Sequence, residues 1–202
     1  MRVVDAEDPA NQTTRYANNS LRYRSKRTTC KTAMPIVVTP RGTRGVEWRR
    51  LPRPAMSAMF GLSHLAFAAL GGRMRIQGRP LLELETIGAR SAVRRHAVLG
   101  WFPDTSSHSA SSASTRADSW VVVASNAGAA AHPDWFLNMA KHPDQVWIAI
   151  AKRRIRVVPE TLEGAERERA WNEITSLAPA YGPYQENTDR IIPIIRLKAQ
   201  EE

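Results

Sequence analysis

The tightest constraint in this 202-residue sequence is a pair of short connections between strand-like runs. MRIQGRPLLELETI (74–87) and RRHAVLGWFP (94–103) read as two strands joined by one turn. QVWIAI (145–150) and RRIRVVPETL (153–162) read as two more around Ala151-Lys152. Strands joined this closely run antiparallel, because a parallel pair needs a long crossover between its members. WVVVAS (120–125) is apolar enough to be a central strand. IIPIIRL (191–197) is the last strand, and Pro193 marks it as edge or bulged. HPDWFLNMAKHP (132–143) is a short helix, with Pro133 in its first turn and His142-Pro143 as its stop. LEGAERERAWNEITSLA (162–178) is an amphipathic helix that turns Trp171, Ile174, Leu177 and Ala178 inward. A loop carrying Tyr181 and Tyr184 follows it, and residues 104–119, rich in Ser, form a polar surface loop. The order β-β-β-α-β-β-α-β contains no βαβ unit. It implies an α+β, mainly β chain: a small barrel of about six mostly antiparallel strands with two to three covering helices.

The charge lies unevenly on this frame. The formal net charge is +10, but residues 1–55 hold twelve of the 29 Lys and Arg and only four of the 19 Asp and Glu. The remainder is nearly neutral. Residues 1–55 therefore read as a basic extension with little folding pattern, and Met34 or Met56 are alternative starts. Residues 56–71 read as an amphipathic helix, with Met56, Met59, Phe60, Phe67 and Leu70 near one face. It either packs on its own domain, or lies on a membrane surface or closes a pocket. Residues 72–202 form the barrel domain. The lone Cys30 excludes an intrachain disulfide and fits a reducing cytoplasm. No secretory h-region precedes the domain and no run is long enough to span a bilayer. The expected location is cytoplasmic, with peripheral contact at the inner membrane face through 56–70 as an option.

The familiar catalytic signatures are missing. GxGxxG, GxxxxGK[ST], CxxC, HExxH and GxSxG do not occur, and the five histidines show no metal-ligand spacing. No metal is expected. Two stretches remain. ETIGARSAVRRH (85–96) places Arg90, Ser91, Arg94 and Arg95 at a turn, where they offer donors to an anion. SNAGAAAHPDW (125–135) runs through small residues into a helix N-terminus, which also favours a negative group. Taken singly, each is better explained by a solvated hairpin or an ordinary strand-to-helix loop. Together they point to an anionic cofactor.

RPLLELETIGARSAVRRHAVL, VVVASNAGAAAHPDWFLNMAKHPDQVWI and LAPAYGPYQENTDRIIPIIRL resemble, in this order, the deazaflavin-dependent nitroreductase family of split β-barrel proteins. The resemblance covers about residues 72–198. It implies coenzyme F420 as cofactor, with FMN as the alternative. It also implies hydride transfer to a small acceptor: a quinone, a nitroaromatic or another nitro compound, or an activated C=C. Thr86, Gly88, Arg90, Ser91 and Arg95 match the family's first signature and would hold the phosphate and acidic tail of the coenzyme. Ser125, Asn126, Ala127 and Gly128 would line the coenzyme through backbone donors, and Trp135 and Asn138 would shape the ring site. Tyr181 and Tyr184 would wall the acceptor side, Tyr181 being the first choice and Tyr184 the second for donating to the acceptor. Ala89, Ala92 and Ala127 depart from the usual Arg, Gly and Gly. Two other readings stay open: a split-barrel protein that binds a flavin, a haem or a lipid without turnover, and a nucleic-acid binder acting through the basic extension. The latter is disfavoured. A monomer and a homodimer are equally compatible with the sequence.

Overall fold

The computed structural model of the chain describes residues 36–47, 75–76, 78–105, 119–150 and 153–200. The extension before residue 36, the expected helix at 56–71, most of the Ser-rich loop and the Ala151-Lys152 turn lie outside the described residues. Eight strands are described: β1 (Arg75–Ile76), β2 (Arg79–Ile87), β3 (Arg94–Gly100), β4 (Phe102–Pro103), β5 (Ser119–Val123), β6 (Val146–Ile150), β7 (Arg153–Thr161) and β8 (Ile194–Ala199). The helices are α1 (Asp134–Lys141), α2 (Gly164–Leu177) and α3 (Tyr181–Asn187).

Every strand pair is antiparallel. One sheet runs β3-β2-β6-β7 and the other β7-β8-β5-β4. Two strands turn the corners between them. The first half of β7 pairs with β6 and its second half with β8. Likewise β3 pairs with β2, and after a break at Trp101 β4 pairs with β5. Counting β3–β4 as one bent strand, the pairings close a ring of six, which is the split barrel expected from the sequence. Two expected strands are broken where the chain bends. A turn at Gly78 folds β1 back on β2, and Trp101 leaves the ladder to donate its N–H to Pro80 O at 3.2 Å.

Alternation along the central strands divides the apolar residues between two clusters. Leu82, Leu84, Trp120, Val122, Ile148, Ile195 and Leu197 face one cluster, which α1 seals with Phe136 and Met139. Val121, Val123 and Ile194 face the other, with Phe102, Leu162, Ile174 and Ala178. Strand β5 is buried on both faces, which is why its sequence is a continuous apolar run rather than an alternating one. Each fully buried Leu or Ile of this kind contributes about 1.5–3 kcal/mol.

Four local expectations are corrected. Leu177 is 62% exposed rather than inward. It lies roughly 60° around the helix from Ile174, beyond the face that Trp171, Ile174 and Ala178 share. Tyr181 and Tyr184 stand on a helix, not a loop. Strand β8 is central, paired with β5 and β7, and Pro193 precedes it. There a missing N–H costs nothing, and the Pro193 carbonyl accepts from Ala124 N–H at 2.9 Å. Pro133 also sits one place earlier than expected, as the N-cap of α1.

Residues 36–47, inside the span expected to lack a folding pattern, lie along the domain as a strap. Ile36 packs on the first cluster. Val37 N–H donates to Thr161 Oγ1, Gly42 N–H to Ala130 O and Val46 N–H to Gly128 O, at 3.2, 3.0 and 3.0 Å. The Asp189 carboxylate accepts from the amides of Thr43 and Arg44 and from the Thr43 hydroxyl, at 2.5–3.1 Å. These bonds, the Thr43 hydroxyl foremost, lower its pKa to about 2. Short-range pattern reading misses the strap because its partners are more than eighty residues away. Among the described residues no helix is long and apolar enough to cross a membrane.

Candidate functional site

The β2–β3 turn is built by backbone and presents side chains. Gly88 N–H donates to Val93 O, and Ala92 N–H donates to Gly88 O, both at 2.9 Å. Gly88 is buried, and a Cβ there would fall 2.5 Å from Ser91 Oγ and 3.2 Å from Val93 O, so a larger residue would displace the Ser91 hydroxyl from the turn. Asn138 of α1 ties the turn down. Its Oδ1 accepts from Ala89 N–H at 2.8 Å, and its Nδ2 lies 3.5 Å from Thr86 Oγ1. Both Asn138 and Thr86 are buried, so Asn138 acts on the turn rather than standing open in the site.

The four polar residues of the turn differ in what engages them. Arg94 pairs with Glu85 at 3.1 Å, beside the Arg154 guanidinium, which grips the same carboxylate with two bonds of 3.0 Å. That grip, reinforced by Arg94 and His96, holds the Glu85 carboxyl below its usual range despite its burial. Arg94 is thus engaged, although it shares that single carboxylate with Arg154. Arg90 is exposed and has no partner among the described residues. Among the described residues the Arg95 guanidinium has one hydrogen-bond partner, Ser91 Oγ at 3.5 Å. Arg90, Ser91 and Arg95 are therefore free to meet an anion.

The β5–α1 loop is built the other way, from inside. Arg190 is 3% exposed and its guanidinium grips three carbonyls: Ala129 O at 2.8 Å, Ser125 O at 2.7 Å and Ala124 O at 3.1 Å. Its Nη1 lies 3.3 Å from His132 Nδ1, and His132 Nε2 lies 2.7 Å from Thr39 O of the strap. Only the neutral tautomer with hydrogen on Nε2 satisfies both contacts. Burial, and then the Arg190 charge, push the His132 pKa down, against the bond to Thr39.

Held in this way, the loop takes an uncommon course. Ser125 is right-handed, and Asn126, Ala127 and Gly128 follow with φ of 46°, 49° and 79°. The N–H groups of Gly128 and Ala129 close on Ser125 O and Asn126 O. Among the described residues those of Ser125, Asn126 and Ala127 have no partner. A right-handed residue followed by a left-handed one turns successive amides to one side, a concavity suited to an anion. The expected backbone donors are thus Ser125, Asn126 and Ala127, while the Gly128 amide is used internally. Gly128 serves close approach: a Cβ there would sit 2.8 Å from Tyr184 O.

Tyr184 therefore borders this loop, and Tyr181 is stacked edge-on with it at 5.5 Å and with Phe102 at 5.6 Å. Burial, with Tyr184 next in weight, raises the Tyr181 pKa, Arg79 opposing, so its hydroxyl is a donor at neutral pH. Trp135 is half-buried, edge-on to Phe136 at 6.2 Å. The structure thus makes two contacting groups, Thr86–Ala89–Asn138 and Gly128–Tyr184–Tyr181, joined by the segment that runs from the loop into α1. Arg190 and His132 were not singled out as loop supports by the sequence, although Arg190 belongs to the Thr-x-Arg-x-Ile-Pro run. A cavity of about 340 Å³ beside α2, lined in part by Phe102, Val121, Ile174 and Arg196, includes none of the sequence-derived site residues. Its Arg196 is already paired with Asp104 at 2.7 Å and Glu166 at 2.5 Å.

Residues 66–199 match the family model described as F420H(2)-dependent quinone reductase. A Mycobacterium tuberculosis protein described as an F420H(2)-dependent quinone reductase is 28% identical over 155 residues, 74% of this chain and 95% of that protein. A solved structure described as an F420-H2 dependent reductase is 27% identical with a TM-score of 0.48, covering 62% of this chain and 99% of that one. Another, described as a domain-swapped dimer, is 24% identical with a TM-score of 0.50, covering 72% and 99%, and shares the fold.

Proposed function

The chain belongs to the F420H(2)-dependent quinone reductase family, an oxidoreductase family whose cofactor is coenzyme F420, and from that premise we propose that it reduces a quinone with the reduced coenzyme. The reading is supported by one observation: donors without a strong partner among the described residues lie on the turn that Asn138 of α1 ties down, Arg90 and Arg95, and on the loop that leads into α1, three amides. Phosphate and carboxylate groups fit such donors, and the guanidinium fork suits both. Ser91 adds a neutral donor at the same rim.

When bound, the coenzyme supplies the hydride, which is the difficult chemistry. The protein orients the ring and keeps a donor beside the acceptor. Asn138 fixes the turn that carries the arginines, and Arg190 fixes the amides. Tyr181, protonated at neutral pH, donates a hydrogen bond to the acceptor oxygen on which negative charge develops. Tyr184 shapes the wall between that hydroxyl and the loop. No side chain is required as an obligatory acid or base. A quinone is the acceptor best supported, by the family to which the chain belongs, and nitroaromatics are the second class to assay.

The test is a fluorescence titration with oxidised coenzyme F420, then turnover of the reduced form with a panel of quinones and nitroaromatics. Saturable binding with quinone-dependent oxidation of the reduced coenzyme is expected. Binding of FMN in preference to the deazaflavin, or binding without turnover, would overturn the reading.

A further inference from the structure

Arg79 opens β2, and its side chain has no role in the site described so far beyond its charge near Tyr181. Its guanidinium lies 3.9 Å from the centroid of the Phe102 ring, the ring that Tyr181 meets edge-on. Its Nε is buried without a hydrogen-bond partner, and no acid pairs with it among the described residues. Arg167 also has a buried bare Nε, but its Nη2 donates to Ile192 O at 3.1 Å. A half-buried guanidinium with a dry, unused N–H is costly unless a partner arrives. The cation sits over the face of the Phe102 ring, which uses none of its N–H groups as hydrogen-bond donors. The Arg79 charge is felt at the Tyr181 hydroxyl, where it opposes the effect of burial.

We propose that Arg79 is a substrate-contacting residue that, with Tyr181, receives the anionic oxygen of the acceptor. This rests on the reading that Tyr181 borders the acceptor. A hydride from the reduced coenzyme brings two electrons and one proton to the quinone, and the coenzyme sheds a further proton to solvent. The quinone becomes a hydroquinone monoanion, and one solvent proton then completes the hydroquinone. Between those events one oxygen carries a full negative charge, and a fixed guanidinium opposite a neutral phenol is the pair of donors that oxygen needs. The same pair favours acceptors that are already anionic.

The test uses the full chain with Arg79→Gln, Arg79→Lys and Tyr181→Phe, and two naphthoquinones: menadione, which is neutral, and lawsone, which is anionic at neutral pH. Binding of lawsone is followed by tryptophan quenching with and without the coenzyme, and menadione turnover is followed with reduced coenzyme. For Arg79→Gln, lawsone binding is expected to weaken about tenfold or more and menadione kcat to fall about tenfold, with KM and coenzyme affinity within twofold. Arg79→Lys should recover part of the lawsone binding, since it keeps the charge but not the fork. Unchanged lawsone binding in Arg79→Gln, no lawsone binding by the parent, or an equal loss of coenzyme affinity would overturn the proposal. Thermal melting checks folding, and if Arg79→Gln does not fold, Arg79→Lys carries the comparison: lawsone affinity like the parent's with unchanged kcat then overturns it. A parent that binds lawsone but no deazaflavin would refute the proposed function while leaving Arg79 as an anion contact.

Discussion

The β2–β3 turn and the β5–α1 loop look alike in sequence, as short polar or small-residue stretches suited to an anion, yet they are made in opposite ways. The turn is closed by its own backbone and carries its charge outward on Arg90 and Arg95. The loop carries no outward charge. A buried cation, Arg190, grips its carbonyls from within, and its free amides follow from that grip. Function and stability are therefore separable in the turn and fused in the loop.

That contrast is broken first at Arg190. Arg190→Met removes the partner of the Ala124, Ser125 and Ala129 carbonyls, and each buried acceptor left unsatisfied costs about 1–3 kcal/mol. Urea unfolding should show a loss of at least that size, with coenzyme binding lost alongside it. A variant as stable as the parent would mean that the loop holds its own shape.

Asn138→Ala is the intermediate case, because it loosens the turn from beneath. It leaves Ala89 N–H and the Thr86 hydroxyl short of a partner, about 1–3 kcal/mol in all. Stability and coenzyme affinity should fall together, unlike in the arginine variants of the turn.

His132 gives the loop a pH dependence of its own. Its folded pKa is depressed below the ordinary 6.5 by burial and by the facing Arg190, with Thr39 O opposing. Below that ordinary value the unfolded chain binds a proton that the folded chain refuses. The His132 contribution is therefore complete above about pH 6.5 and is lost as pH falls, by at most about 1.4 kcal/mol per pH unit, levelling off below the folded pKa. His132→Gln should flatten this part of the stability profile between about pH 7 and pH 5. A profile unchanged by the substitution would place the titration elsewhere.

The smallest effects concern two alanines. Ala92 and Ala127 have φ of 53° and 49°, in the left-handed region, at the two positions where the resembled family has glycine. The strain of about 1–2 kcal/mol each is partly offset in glycine by the entropy of a freer unfolded chain. Ala92→Gly and Ala127→Gly should each stabilise by up to about 1 kcal/mol in thermal melts. If neither does, the surroundings already compensate for the strain.

The barrel was largely legible because tight hairpins and continuous apolar runs are local signals. What escaped was non-local. Nothing near Thr43 announces that its amide will meet Asp189, and nothing in the Thr-x-Arg run announces that Arg190 will reach back to Ala124. The breaks at Gly78 and Trp101 also escaped, since they interrupt strands whose apolar pattern reads as continuous. Leu177 was misplaced because an apolar residue next to a helix face was counted as on it. At the site, the outward arginines of the turn could be named from sequence, whereas the division between Arg94, taken by Glu85, and Arg90 needed the fold. The loop's amides could be named only as a group, because which are free depends on φ angles that alanine does not advertise.

The most direct test is the affinity of oxidised coenzyme F420 for the parent and for the double variant Arg90→Ala/Arg95→Ala, measured by fluorescence over a range of salt. Charge-assisted bonds of this kind are worth about 1.5–3 kcal/mol each before screening, so affinity should fall about tenfold or more per arginine at low salt. The gap should narrow as salt rises, because screening already weakens the parent's contacts. Unfolding stability should stay within about 0.5 kcal/mol of the parent, as expected for surface changes. A double variant that binds the coenzyme as tightly as the parent at low salt would contradict the account, and the turn would be no more than a basic hairpin.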